Sequence, residues 1–260
     1  MTPQEIAGAL RSVINTTMRG KSEVVDLSVT ALLSGGHLLV QDLPGTGKTL
    51  LAKSMAKAIG GRFGRIQCTP DLLPSDVTGT SVYRPESGDW DFRAGPIFSN
   101  VVLIDEINRA SPRTQSAMLQ PMEERQVSVD AQTWAMLDPF FCIATQNPFG
   151  QVGTFPLPES QLDRFAMVIS VGLPDRIAER EIITGAGGVD VLDSVTAVTG
   201  PEEIAQAIQA TARTHADDKI VDYVLDLVAA TRTEAHLSQG ASPRASVSAH
   251  ASGASASGGR

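Results

Sequence analysis

Apolar positions recur at helical spacing at the start of the chain. Ile6, Leu10, Val13 and Ile14 follow a period of about 3.6, so residues 1–34 predict two helices on either side of Arg19-Gly20. Shorter apolar runs then alternate with helical stretches. HLLVQ (37–41), RFGRIQC (62–68), NVVLIDEI (100–107), PFFCIAT (139–145) and the segment from Met167 to Val171 predict buried strands. LLAKSMAKAI carries helix formers up to Gly60-Gly61, and residues 112–125 predict another helix. SVYRPESGDWDFR, turning at Ser87-Gly88-Asp89, and QVSVDAQTWAML, turning at Asp130-Ala131-Gln132, read as β-hairpins. Strands alternating with helices predict an α/β fold, a parallel sheet with helices on both faces.

After Pro174 the strands stop. Residues 175–184, 202–214 and 217–235 are helical in pattern, with Ile220, Val224, Leu225 and Val228 on one stripe. The expected division is an α/β core over 1–173 with hairpins near 80–93 and 126–137, then a helical lid over 174–245. From about Ser246 the chain is mostly Ser, Ala and Gly, a composition that predicts disorder. There is no internal repeat.

Composition narrows the class. Of 260 residues, 42% are hydrophobic and 19% charged, which suits one or two globular domains. The net charge of −8 argues against a protein that coats nucleic acid. Cys68 and Cys142 show no ligand spacing, so the expectation is two reduced thiols in a cytoplasmic protein. His37, His215, His236 and His250 form no cluster. MTPQEIAGALRSVINTTMRG has no apolar leader region, and no apolar run approaches the roughly 20 residues that span a bilayer.

The strongest chemical signal is Asp42-Leu43-Pro44-Gly45-Thr46-Gly47-Lys48-Thr49-Leu50, between a strand and a helix. Such loops aim backbone N–H groups at phosphate oxygens, and the helix N-terminus adds positive potential. Lys48 is expected on the β- and γ-phosphates and the Thr49 hydroxyl on Mg²⁺. Asp42 stands where such loops usually begin with glycine. Asp105-Glu106 closes an apolar strand 56–58 residues after Lys48–Thr49. In that order Asp105 suits Mg²⁺, and Glu106 suits the proton of an attacking water. Asn147 ends the next strand, where it helps position water; an Asn before Pro is also a common turn residue. Arg164, 17 residues further on, suits a finger reaching a neighbour's nucleotide, against the reading of a surface ion pair. Arg109 is a weaker interface candidate. Arg244 is either a γ-phosphate sensor at a helix start or an ordinary arginine of the tail.

QDLPGTGKT, RIQCTPDLLPSDVTGT, DEINRASPRTQSAML, ATQNP, TFPLPESQLDRF and GASPRA together closely resemble the MoxR family of AAA+ ATPases, from about residue 20 to 246. The DLPG loop is itself similar to that family. The resemblance implies a five-stranded sheet in the order 5-1-4-3-2 with a helical lid. It implies that the first hairpin is inserted in the second helix, and that the second hairpin precedes the sensor strand. It implies ATP and Mg²⁺ as cofactors, with Glu106 activating water, Asn147 as first sensor, Arg164 as finger and Arg244 as second sensor. It further implies a ring of about six subunits with ATP between them, a von Willebrand factor A-domain partner, and chaperone-like remodelling or metal-cofactor insertion. Alternatives are a metal-chelatase motor subunit, a nucleotide-gated scaffold of low turnover, and a nucleic-acid translocase disfavoured by the acidic charge. Family chains continue after GASPRA with a long apolar helix. Here SVSAHASGASASGGR follows, so the lid is expected to lack part of its core and to hold Arg244 poorly.

Overall fold

The computed structural model describes residues 1–86, 88–130, 132–147, 153–185, 188–234, 236–237 and 240–257. The expected turn residues Ser87 and Ala131, and Pro148 of ATQNP, lie outside the described residues.

Two helices open the chain, α1 (Pro3–Thr17) and α2 (Ser22–Leu33). The first starts sharply because Thr2 and Glu5 cap each other's backbone N–H and Pro3 fits the first turn. The core then runs β1 (Leu38–Gln41), α3 (Lys48–Ala58), β2 (Phe63–Gln67), α4 (Pro74–Thr78), and the hairpin β3 (Gly79–Arg84) and β4 (Asp89–Ala94). It continues through β5 (Val101–Asp105), α5 (Pro112–Glu124), the hairpin β6 (Gln126–Val129) and β7 (Gln132–Ala135), β8 (Phe141–Gln146), α6 (Glu159–Leu162) and β9 (Met167–Ile169).

The five longer-range strands form one sheet in the order β2-β5-β8-β1-β9, every neighbouring pair parallel. Counted along the core, this is the expected 5-1-4-3-2. The apolar runs are buried on both faces, as parallel strands require. Leu38, Val40, Val101, Leu103, Phe141 and Ile143 pack under α1, α2 and α3. Leu39, Val102, Ile104, Cys142 and Ala144 pack on the other face, under α5. Each fully buried Leu or Ile adds about 1.5–3 kcal/mol. The crossover from β2 to β5 contains only the five-residue α4 before the first hairpin. The hairpin thus takes up about half of the length where the family resemblance implied a helix carrying an insert.

Both cysteines are free and buried. Burial, then the charges of Asp105 and Glu106, push the Cys68 thiol up to about 12, and burial pushes Cys142 up as well. His37 is buried just before β1. Its Nδ1 accepts from the Cys142 N–H at 3.1 Å, and its Nε2 lies 3.2 Å from the Met122 carbonyl. A neutral ring protonated on Nε2 satisfies both. Burial, and then the Arg125 guanidinium, hold its pKa down at about 3 against the opposing Met122 carbonyl. The unfolded chain binds this proton near pH 6.5 and the folded chain does not. The site therefore adds no penalty above about 6.5, and below that stability falls by on the order of 1.4 kcal/mol per pH unit until about pH 3. Chemical denaturation of parent and His37→Gln across this window is expected to show a flatter acid slope in the variant; equal slopes would reject the assignment.

Beyond β9 the chain is helical: α7 (Arg176–Ile183), α8 (Val189–Leu192), α9 (Pro201–Ala212), α10 (Asp218–Thr233) and α11 (Pro243–Ser257). The last of these corrects the expectation of disorder from Ser246. Ser242 caps the Ala245 N–H and Pro243 opens the helix. The alanines that follow bring little apolar bulk but have the highest helix propensity. The stripe on α10 also departs from expectation. Of its apolar residues only Val228 is buried, while Ile220, Tyr223, Leu225 and Leu227 are more than half exposed. The partner helix α11 offers mainly Ala and Ser, which are too short to cover them. Among the described residues no helix is long and apolar enough to cross a membrane.

Candidate nucleotide site

Residues 42–47 turn the chain from β1 into α3. The turn needs positive φ at Gly45 (+84°) and Gly47 (+94°), which glycine adopts without strain. Gly47 is the N-cap of α3 and has no side chain to bond the first-turn N–H groups. Lys48, Thr49 and Leu50 of that turn line a cavity of about 400 Å³, with Asp42, Pro44, Gly45 and Gly47 around them. An uncapped helix start with a cationic side chain beside it fits a polyphosphate. The Lys48 ammonium currently donates to the Leu43 and Asp42 carbonyls. Leu43 is exposed and Thr46 buried, and neither lines the cavity.

Asp42 has a different local role from that of the glycine it replaces. Its two carboxylate oxygens accept from the N–H groups of Leu43 (2.8 Å) and Gly172 (2.6 Å). Burial acts against its charge, but these two donors, with Thr46 and Lys48, outweigh it and keep the carboxyl below the usual range. Asp42 thus shapes the loop and ties it to the segment leading into the helices beyond β9.

Parallel strands deliver their C-terminal ends to one edge of the sheet, where α/β folds place their sites. β5 and β8 are neighbours there, so Asp105 and Glu106 meet Thr145, Gln146 and Asn147 in the same cavity. In an unbroken strand two adjacent side chains point to opposite faces. The left-handed backbone of Glu106, φ +56°, ends that alternation and lets both acids reach the cavity. The Glu106 N–H donates to the Thr145 hydroxyl at 2.8 Å, and that hydroxyl donates to Asp105 Oδ1 at 3.4 Å. The hydroxyl of Thr49 and the carboxylate of Asp105 line one space, a hard-oxygen donor set suited to Mg²⁺.

Two arginines hold these acids. Arg65 places Nε at 2.8 Å and Nη2 at 2.7 Å from Asp105 Oδ2. Arg109 places Nη1 at 2.9 Å from Glu106 Oε2, so it pairs within the chain, where the sequence suggested an interface role. Sequence reasoning missed Arg65, Gln67, Thr145 and Val189, all of which line the cavity. A signal for the first two was present: in RIQ the polar residues alternate around buried Ile66, which puts Arg65 and Gln67 on one side.

Arg164 and Arg244 do not line this cavity. Both bind Glu123 near the end of α5: Arg164 Nη2 lies 3.0 Å from Oε2, and Arg244 Nη2 pairs with Oε1. The expected reach of Arg244 to a γ-phosphate in its own chain is therefore not what this geometry offers. The arginine is nevertheless held, because α11 continues the fold and Ser242 also bonds Asp163.

This arrangement has known counterparts. The model of the ATPase family associated with various cellular activities (AAA) matches residues 37–167. YeaC, an uncharacterized protein of Bacillus subtilis, is 44% identical over 90% of this chain and 73% of its own length. Chaperone MoxR1 of Mycobacterium tuberculosis is 42% identical over 88% of this chain and 62% of its own length. Protein MoxR of Paracoccus denitrificans is 33% identical over 86% and 69% respectively. A crystal structure from Cytophaga hutchinsonii superimposes with a TM-score of 0.86 at 32% identity, covering 96% of this chain and 78% of that one. Strand order, phosphate-type loop, paired acids and these relatives agree, and the chain belongs to the MoxR family of AAA+ ATPases.

Proposed function

We propose that the chain binds ATP with Mg²⁺ in this cavity and hydrolyses it to drive remodelling or maturation of partner protein complexes, metal-cofactor insertion among them. One observation carries the reading: three separate segments bring Lys48, Thr49, Asp105, Glu106 and Asn147 around one space of about 400 Å³. Lys48 and the first-turn N–H groups of α3 hold the phosphates. Thr49 and Asp105 hold Mg²⁺, which supplies charge to the phosphoryl oxygens. Glu106 takes a proton from the attacking water, and Asn147 orients that water. Arg164 serves a neighbouring subunit's nucleotide in a ring, taken as a hexamer from the family resemblance. That resemblance also supports a cytoplasmic setting and a von Willebrand factor A-domain partner. A metal-chelatase motor would share the same site.

A second reading, a nucleotide-gated scaffold of low turnover, is favoured by the Arg109–Glu106 pair. The guanidinium occupies Oε2 of Glu106, an oxygen the base would turn to water, so turnover requires that pair to open. Titration with a fluorescent ATP analogue and steady-state phosphate release separate the two readings. Lys48→Ala is expected to weaken nucleotide binding roughly 10- to 100-fold, from about 1.5–3 kcal/mol for hydrogen bonds to a charged group. Unchanged binding would remove the phosphate role of Lys48. Tight binding by the parent without phosphate release would favour the scaffold.

A further inference from the structure

The two hairpins enclose a second cavity, of about 510 Å³, distinct in its lining from the nucleotide site. In β3–β4, Ser81 is opposite Phe92 and Tyr83 opposite Trp90. Directly opposed residues share a face, so this face carries every aromatic side chain of the hairpin and no charge. The charged Arg84, Asp89, Asp91 and Arg93 occupy the other face. The aromatic face turns toward β6–β7, where Phe92 stacks on Trp134 with centroids 4.3 Å apart and planes at 13°.

Both stacked rings line the cleft, and so does Trp90. Trp90 is 70% exposed and Tyr83 49% exposed, their rings 5.4 Å apart. Asp130, in the turn of the second hairpin, lines the same cleft as Trp90 and is the one ionisable residue in its described lining.

A large ring left in water loses the gain of burial, so the exposed Trp90 favours an occupant that covers it. Ring faces attract cations, and a carboxylate beside them adds to that attraction. A single-stranded nucleic acid also stacks on aromatic rings but requires a cationic groove; here the charged lining group is an anion. An acidic segment is repelled. A wholly apolar segment desolvates Asp130 without pairing it. We propose that this cleft recognises an extended polypeptide segment bearing a lysine or arginine, with the side-chain stem along Trp90 and the cationic head at Asp130. The site lies on the hairpins, outside the nucleotide cavity, and extends the proposed remodelling function by naming a client chemistry.

Fluorescence anisotropy of labelled ten-residue peptides on the full chain without nucleotide tests it. The probes alternate alanine with lysine, glutamate or serine, beside a ten-nucleotide oligothymidine. The lysine peptide is expected to bind most tightly and to weaken with added salt. Trp90→Ala and Asp130→Asn should each weaken it roughly 3- to 30-fold, while phosphate release stays at the parent rate. Asn is the neutral replacement at Asp130 because it tolerates the φ of +49° there. Trp90→Phe keeps a ring and should retain most of the binding, which separates recognition from misfolding. Equal binding of the serine or glutamate peptide, or an unchanged affinity in both Trp90→Ala and Asp130→Asn, would overturn the proposal. Trp90-dependent binding of oligothymidine would overturn it in favour of nucleic acid. A parent that binds the lysine peptide but releases no phosphate would sink the ATPase reading and leave this one standing.

Discussion

Glu106→Gln is expected to retain ATP and to release phosphate roughly 10²–10⁴-fold more slowly than the parent, the usual contribution of a positioned general base. The replacement is close to isosteric and keeps a hydrogen-bonding head. It removes only the ability to accept a proton. The backbone at Glu106 is held by Thr145 through the N–H, not through the carboxylate, so the φ of +56° survives the change. The ion pair to Arg109 is lost, and each partner is about a third or more exposed. A pair of that kind adds only about 0–1 kcal/mol to stability, and the variant should fold. Steady-state phosphate release, together with retention of radiolabelled ATP through gel filtration, checks both halves. Equal release by parent and variant would mean that Glu106 is not the base. Loss of ATP retention would place its role in binding.

The second large effect is expected at Arg164. If it neutralises transition-state charge in a neighbour's site, Arg164→Ala loses about 10³–10⁵ in turnover and little in ATP affinity. The structure also supplies the bland alternative, a pair with Glu123 at 3.0 Å. As a partly exposed ion pair it would add about 0–1 kcal/mol to stability and leave turnover intact. Subunit mixing separates the two. Lys48→Ala subunits lack nucleotide but keep Arg164; Arg164→Ala subunits keep nucleotide but lack the arginine. Each alone should be inactive and the mixture partly active. No recovery on mixing, with full activity of Arg164→Ala alone, would reduce Arg164 to the ion pair. Arg244 shares the same carboxylate, so the same assay applies to it.

Much of the α/β core was legible in local pattern. Val101–Asp105 and Phe141–Gln146 read as continuous apolar runs because both sheet faces are covered. Asp42 was legible as a family marker but not as a tether, because its partner Gly172 lies 130 positions away. Arg65 was overlooked because RIQ reads as an ordinary strand until β2 is placed beside β5. The disorder expected after Ser246 failed for the opposite reason. Low hydrophobicity was read as absence of structure, while the local cap at Ser242-Pro243 and the alanine content favour a helix.

By itself the sequence determined the strand–loop–helix of residues 37–59, the parallel α/β class, and the identity of the acids at 105 and 106. These depend on periodicity, backbone conformation and near neighbours, interactions of short range along the chain. Only the tertiary structure decided what those acids touch: Arg65 on Asp105, Arg109 on Glu106, and Arg164 with Arg244 on Glu123. It alone decided that two hairpins about 40 residues apart in the chain stack Phe92 on Trp134 and leave Trp90 facing open water. A charged or aromatic side chain is satisfied by whichever partner folding brings within a few ångströms, and sequence separation does not encode that partner.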